Sequence, residues 1–185
     1  MIEFSTVRSP LETDQIIALQ AENHLSVLST EQTQQQGFLT VRHDPDVLRR
    51  MNTAKPSIIA KDGAALAGFA LVMPREFAPE VPILLPMFDM LGTLSWQGRP
   101  LRDSPRWFVM GQVCVAEAYR GQGVFDGLYA AMRAQYRDQY DFVVTEIAER
   151  NQRSMRAHER VGFKPLHVYP DASTGETWHV VVWDF

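Results

Sequence analysis

Cysteine occurs once in the 185 residues, at Cys114. A lone thiol excludes an internal disulfide framework and a zinc site built on cysteines. Such usage suits a reducing compartment. No apolar run approaches the ~20 residues that a bilayer-spanning helix needs. The opening residues, MIEFSTVRSPLETDQ, lack a basic n-region and an apolar h-region, so a cytoplasmic chain with no membrane partner is expected. A long basic run is also missing. Lys and Arg total 18 against 22 Asp and Glu, giving a formal net charge of −4. Nucleic acid is therefore not expected as a partner, since neutralising phosphates requires a basic face. His24, His43, His167 and His179 show no metal-ligand spacing, and no metal is expected. There is no internal repeat, and the polar run Gln32 to Gln36 is too short to count as low complexity.

What remains is an ordinary globular composition, 45% hydrophobic and 22% charged. The length suits one domain over residues 1–185. Ile2 to Arg8 reads as a first strand. Ser9-Pro10-Leu11-Glu12 then opens a helix, with serine as cap, proline in the first turn and glutamate reaching back. Leu11, Ile16, Leu19 and Leu25 form its loose apolar stripe. Thr30 to Gln36 is a short helix stopped by Gly37, and Asp44-Pro45 starts another, with Val47, Leu48 and Met51 inward. Asp62-Gly63 joins Ser57–Lys61 and Ala65–Met73 as a hairpin. The proline-rich segment from Pro74 to Pro105 is irregular. Its apolar patch, Ile83 to Leu91, reads as core, as an acceptor-pocket wall or as a homodimer contact.

The second half alternates more regularly. Trp107 to Ala116 is a nearly continuous apolar strand, expected to be buried on both faces. A glycine-rich turn, Tyr119 to Gly123, leads into a helix from Val124 to about Tyr136. A strand from Phe142 to Ile147 follows, then a helix from Asn151 to Val161 ended by Gly162. Two last strands, Phe163 to Tyr169 and Thr177 to Asp184, are joined by a polar turn around Asp171 to Gly175. Strand–helix–strand alternation implies an α/β sheet with a right-handed crossover.

The stretch from Val113 to Phe125, VCVAEAYRGQGVF, carries the chemistry. A buried strand runs into Gly121 and Gly123, which open directly onto a helix. The first turn of a helix has N–H groups without internal partners, and its aligned peptide dipoles add positive character. Glycines let that backbone approach an anion closely. A phosphate site made by the amides of Gly121, Gln122, Gly123, Val124 and Phe125, with Arg120 alongside, is expected. A P-loop would need a lysine and a hydroxyl after Gly123, and a dinucleotide fingerprint would need a small residue where Asp126 stands.

Tyr-Arg-Gly-Gln-Gly-Val resembles the pyrophosphate loop of the GNAT superfamily of N-acetyltransferases, with Phe125 where a glycine or alanine is usual. Downstream, Asn151 to Phe163, NQRSMRAHERVGF, resembles that family's Asn-x-x-Ala/Ser helix closed by Gly-Phe. Glu146 matches a common acidic position on the preceding strand. The resemblance covers Trp107 to Phe163 well, and the first half only by element order. It implies a mixed, mostly antiparallel α/β sheet of about seven strands, splayed between the fourth and fifth. Acetyl-CoA would be the cosubstrate. Its pantetheine arm would pair with the backbone of Val113 and Val115, and Asn151 and His158 would also contact it. Residues 106–169 would form the coenzyme core and 1–105 the acceptor side.

The implied reaction is direct attack of a primary amine, on a small molecule or a peptide N-terminus, on the thioester. An alkyl ammonium, pKa ~10.4, must first lose a proton, and the departing thiolate, conjugate acid ~8.5, gains from a nearby acid. Glu146 is the candidate base, or else a structural carboxylate. His158, standing where the family usually has tyrosine, is the candidate acid, or else a packing histidine. Asn151 can equally be a helix N-cap. Cys114 is expected to be core rather than an acyl carrier. Gln112 either touches the acceptor or satisfies a buried backbone group. The competing function is a non-catalytic acyl-CoA-binding module on the same fold.

Overall fold

The computed structural model describes residues 1–172 and 175–185, with residues 34–36 described by backbone alone. Seven strands make one sheet: β1 (Ile2–Thr6), β2 (Ile58–Asp62), β3 (Ala65–Met73), β4 (Trp107–Val115), β5 (Phe142–Ala148), β6 (Lys164–Asp171) and β7 (Glu176–Asp184). The helices are α1 (Pro10–Glu22), α2 (Thr30–Gln36), α3 (Pro45–Ala54), α4 (Leu85–Leu91), α5 (Val124–Tyr136) and α6 (Gln152–Val161). The sheet order is β1-β2-β3-β4-β5-β7-β6. Every neighbouring pair is antiparallel except β4 and β5, which the α5 crossover makes parallel.

Local chemistry explains most boundaries. Ser9 caps α1, and Glu12 returns its carboxylate to the backbone N–H of Ser9 at 3.2 Å, completing a capping box. Ser29 and Gln32 do the same for α2, and Asp44 caps α3. β1 stops at Thr6, two residues short of the expected end. Leu11 is 67% exposed and stands outside the α1 stripe, and Leu25 lies beyond the end of α1. The Pro74–Pro105 segment forms two 3₁₀ stretches, α4 and a small hairpin of Ser95–Trp96 with Arg99–Pro100. Its apolar patch divides: Met87 and Leu91 are core, whereas Ile83 is 67% exposed. The turn after β6 has its middle, Ser173 and Thr174, outside the described residues.

The two faces of the sheet carry separate cores. On one, Val124, Leu128, Tyr129 and Met132 of α5 pack on Ala70, Val72, Phe108, Met110 and Val143. On the other, Ile16 and Leu19 of α1 and Leu48 and Met51 of α3 cover Ile59, Phe69, Leu71, Met73 and Val109. Each fully buried side chain of this size contributes about 1.5–3 kcal/mol.

Two irregularities at the middle of the sheet position the site. Pairing between β4 and β5 covers only Trp107–Val109 against Phe142–Val144. Beyond that, β4 stays with β3 as far as Val115 opposite Gly68, and β5 stays with β7 as far as Ala148 opposite Trp178. The strands therefore part. The Thr145 hydroxyl closes the crotch by donating to the Met110 carbonyl at 2.9 Å. The second irregularity is a bulge on β4. Val72 opposes Met110 and Ala70 opposes Val113, so Gly111 and Gln112 face Leu71 alone. The expectation that β4 is buried on both faces holds for Trp107–Met110. Gly111, Val113 and Val115 are only partly buried because the splay opens beside them.

Candidate active site

The splay opens into a cleft of about 500 Å³. One wall is the free edge of β4 at Val113, Cys114 and Val115. The floor is the turn from Tyr119 through Gly123 with the first residues of α5. The far wall is α6, from Asn151 to Arg160, and the segment Gly37 to Leu39 crosses the mouth.

The turn meets the requirements of an anion site. Gly121 and Gly123 take φ of +74° and +77°, a region that L side chains avoid, and open space lies where a Cβ would stand on either. The first intrahelical bond of α5 runs from Gly127 N–H to the Gly123 carbonyl at 3.0 Å. The N–H groups of Val124, Phe125 and Asp126 thus have no helical partner, and Gly123 brings no side-chain cap. The Phe125 ring is partly buried at the edge of the cleft and packs against the core, 5.1 Å from the Tyr129 ring and 5.2 Å from His158, which leaves its amide in place. Arg120 donates through Nε to the Val115 carbonyl at 3.1 Å and through Nη2 to Asn23 Oδ1 at 2.8 Å. The Gln122 side chain donates to the Ala118 carbonyl and does not line the cleft.

Asn151 lines the cleft and also caps α6. Its Oδ1 accepts from Ser154 N–H, and its Nδ2 donates to the Phe38 carbonyl at 3.3 Å. It thereby ties the crossing segment to α6. The Arg150 guanidinium lies 4.5 Å from the Phe38 ring and reinforces that tie.

Glu146 is the second residue past the point where β4 and β5 part. It shares the sheet face of Phe142 and Val144, opposite α5. Tyr169, from the strand two places away in the sheet, donates its hydroxyl to Glu146 Oε2 at 2.6 Å. Burial pushes the carboxyl up to about 7, against the opposing effect of the Tyr169 hydrogen bond. A carboxylate that titrates near neutrality can take a proton at physiological pH.

His158 is 2% exposed and does not line the cleft. Its Nδ1 lies 2.8 Å from the Ser154 carbonyl, and its Nε2 lies 2.7 Å from the Tyr129 hydroxyl. A carbonyl only accepts, so Nδ1 carries the proton and Nε2 accepts from Tyr129. Burial holds the imidazole neutral, with its pKa lowered to about 4. Cys114 is buried on the α1 side, and burial pushes its thiol up to about 12, which removes it as a nucleophile near neutrality. Gln112 enters a buried network: Gln20 Nε2 donates to Gln112 Oε1 at 2.7 Å, and Gln112 Nε2 donates to the Val41 carbonyl at 2.5 Å. The expected backbone-satisfying role of Gln112 is therefore present. No metal-binding cluster occurs among the described residues.

The sequence model of the acetyltransferase (GNAT) family matches residues 20–163. The chain belongs to that family. Acetyl transfer is thus its general activity. Among solved structures it is similar to Ard1 from Thermoplasma volcanium, with 13% identity over 99% of this chain and 97% of that one, at a TM-score of 0.66. It is also similar to Arabidopsis thaliana NAA60 in complex with acetyl-CoA, with 14% identity over 100% of both chains and a TM-score of 0.64. The ribosomal-protein-S18-alanine N-acetyltransferase of Escherichia coli shares 10% identity, over 100% of this chain and 94% of that one, at a TM-score of 0.63. These likenesses show a common fold. Among curated proteins, none matches this chain in sequence.

Within this GNAT frame, Val113, Val115, Arg120, Gly121, Gly123, Val124, Phe125 and Asn151 all reach the cleft, whereas Gln122, Glu146 and His158 do not line it. Sequence reading missed the crossing segment, Tyr169 as the partner of Glu146, and the arginines of α6. Only the last left a readable signal. Arg153, Arg156 and Arg160 are spaced three and four apart on a single helix, which puts them on one side of it.

Proposed function

We propose that this GNAT protein is an N-acetyltransferase that moves the acetyl group of acetyl-CoA to a primary amine by direct attack. The splay itself carries the reading: a strand edge released from its neighbour, ending in a turn of unpartnered amides. The diphosphate sits on the N–H groups from Gly121 to Phe125. The pantetheine arm pairs with the β4 edge at Val113 and Val115. The thioester then reaches the point where the strands part, with Glu146 on the acceptor side.

In the reaction, Glu146 takes the ammonium proton directly or through a water, and the amine nitrogen attacks the carbonyl carbon. A backbone N–H of the β4 edge stabilises the oxyanion. The intermediate collapses with C–S cleavage, the nitrogen gives up its second proton to water, and the departing thiolate takes up a proton from solvent. His158 is a positioning residue here rather than the acid, because its Nε2 has no proton to give and its Nδ1 proton is held by a carbonyl. Residues 106–169 serve the coenzyme, and residues 1–105 serve the acceptor within one domain. The acceptor is a small amine or a peptide N-terminus.

Thiol release from acetyl-CoA, measured against a panel of primary amines and short peptides, tests the proposal. At least one acceptor should turn over, and Glu146→Gln should slow it on the order of a hundredfold or more. Binding of acetyl-CoA without turnover of any acceptor would leave a coenzyme-binding module instead.

A further inference from the structure

The extra residue in β4 lies directly before the strand edge that borders the cleft. Between Met110 and Val113 the strand takes three steps, while β3 takes two between Val72 and Ala70. Peptide groups along a strand alternate between its two edges, so one added residue changes which N–H groups beyond it face β3 and which face the open side. Val113, the first residue after the bulge, lines the cleft. The groups that hold the bulge in register therefore decide which amide is offered there.

A buried side-chain bridge does the holding. Gly111 has no side chain, but the Gln112 side chain is tied at both ends: its Nε2 donates to the Val41 carbonyl at 2.5 Å, and its Oε1 accepts from Gln20 Nε2 at 2.7 Å. A carbonyl can only accept, so the Gln112 nitrogen faces Val41 and its oxygen faces Gln20. The Gln20 nitrogen also lies 3.2 Å from His43 Nδ1, which must accept, leaving the imidazole proton on Nε2. The bridge thus joins β4 to α1 and to the chain just past the segment that crosses the cleft mouth. Gln112 itself does not line the cleft.

Stability does not account for this bridge. Gln20, His43 and Gln112 are 2%, 5% and 7% exposed, on the side of the sheet where Ile16, Leu19, Leu71 and Cys114 form a core. The network ends on His43 Nε2, which is buried without a hydrogen-bond partner among the described residues. An unpaired buried donor is a cost that apolar side chains of the same shape would not carry. Polar networks retained at such a cost are expected where they fix a geometry that function uses.

We infer that Gln112, held by Gln20 and the Val41 carbonyl, is a positioning residue for acetyl transfer: it locks the β4 bulge so that a backbone N–H of the open edge is aimed at the thioester carbonyl oxygen. The inference rests on the reading of the cleft as the acetyl-CoA site. A hydrogen bond to that oxygen polarises the carbonyl before any amine arrives, and so leaves a mark in the bound coenzyme alone.

Isotope-edited infrared spectra of acetyl-CoA labelled with carbon-13 at the carbonyl, bound to the intact protein, test the inference. In the unaltered protein the carbonyl band should lie below that of free acetyl-CoA. Gln112→Met keeps the side-chain length but neither hydrogen bond, and should return the band most of the way to the free position. Its affinity for acetyl-CoA, by titration calorimetry, should change by less than about threefold. Gln20→Met removes one tie of the two and should return the band part of the way; it is the deciding variant if Gln112→Met does not fold. A band already at the free position in the unaltered protein, or one that does not move in the folded variants, would overturn the positioning role. The coenzyme reading survives that result, because acetyl-CoA is bound. Failure of the unaltered protein to bind acetyl-CoA would overturn that reading and the inference with it.

Discussion

Replacing Glu146 with glutamine separates the cost of this carboxylate from its use. The carboxyl moves from an ordinary 4.5 to about 7 on folding. Each tenfold change in proton affinity corresponds to ~1.36 kcal/mol, so holding the charged form folded costs roughly 3 kcal/mol. The folded chain keeps its proton to higher pH than the unfolded one, so this group's favourable contribution is full below pH 4.5 and is lost as pH rises through 7. Glutamine removes the charge but keeps an oxygen to accept from Tyr169. Its new N–H₂ also needs partners, which trims the gain. The variant should therefore be about 2 kcal/mol more stable than the unaltered protein near pH 8, with the difference fading toward pH 4.5. Urea unfolding at a series of pH values reads this directly. A difference that stays flat with pH, or a variant less stable at pH 8, would refute the account of a carboxylate destabilised by its surroundings. Acetyl transfer should fall in the same variant that gains stability, as expected where a site retains an unfavourable group for its chemistry.

Tyr169→Phe removes a hydrogen bond that holds the Glu146 carboxyl down, so the acid limb of the pH–rate profile should move to higher pH, seen in kcat/KM across pH 6 to 9. His43 and His158, both lowered by burial from 6.5 to about 4, act with the opposite sign to Glu146. The unfolded chain takes up their protons first, so stability present above pH 6.5 should be lost as pH falls toward 4, by up to roughly 3 kcal/mol for each histidine, measured as the urea midpoint at pH 7 against pH 4.5. Gly123→Ala forces a left-handed φ of +77° on a side chain, costing about 1 kcal/mol, and sets a methyl group beside the amides. Its unfolding midpoint should fall slightly, and its affinity for CoA should fall more.

Elements set by neighbouring residues were legible in the sequence. The serine caps, the Asp62-Gly63 turn and the glycines before α5 act over a few positions, and the structure has each where the spacing puts it. What was not legible depends on residues far apart in the chain. The point where β4 and β5 part is bridged by Thr145 reaching Met110, 35 residues away. The pKa of Glu146 is raised by burial and held back by Tyr169, which reaches across an intervening strand that the chain has yet to form at that point. Asn151 was readable as a cap, but its second bond, to Phe38, joins residues 113 apart. A periodicity argument also cannot tell which side of a helix meets a cleft rather than open solvent. This is why three arginines on α6 carried no meaning until α5 was set beside them.

The two departures from the family pattern, Phe125 and His158, are physically one. Their rings meet edge to face at 5.2 Å and 87°, within a cluster that includes Tyr129 and Phe163. The large side chain in the phosphate turn is partly buried against the core, in contact with the smaller imidazole that replaces tyrosine. The amide of Phe125 belongs to the backbone and keeps its direction. The tyrosine hydroxyl usual at this place in the family is absent, and the Tyr129 hydroxyl does not replace it, since it donates to His158 within the core. The cost falls on protonation of the leaving group alone. A thiolate whose conjugate acid has a pKa near ~8.5 departs readily without an acid in contact, whereas the ammonium at ~10.4 cannot attack until a base has taken its proton. A sequence that gives up one of the two proton-handling groups is therefore expected to give up the acid and keep the base, which agrees with the proposal of Glu146 as the base and His158 as a packing residue.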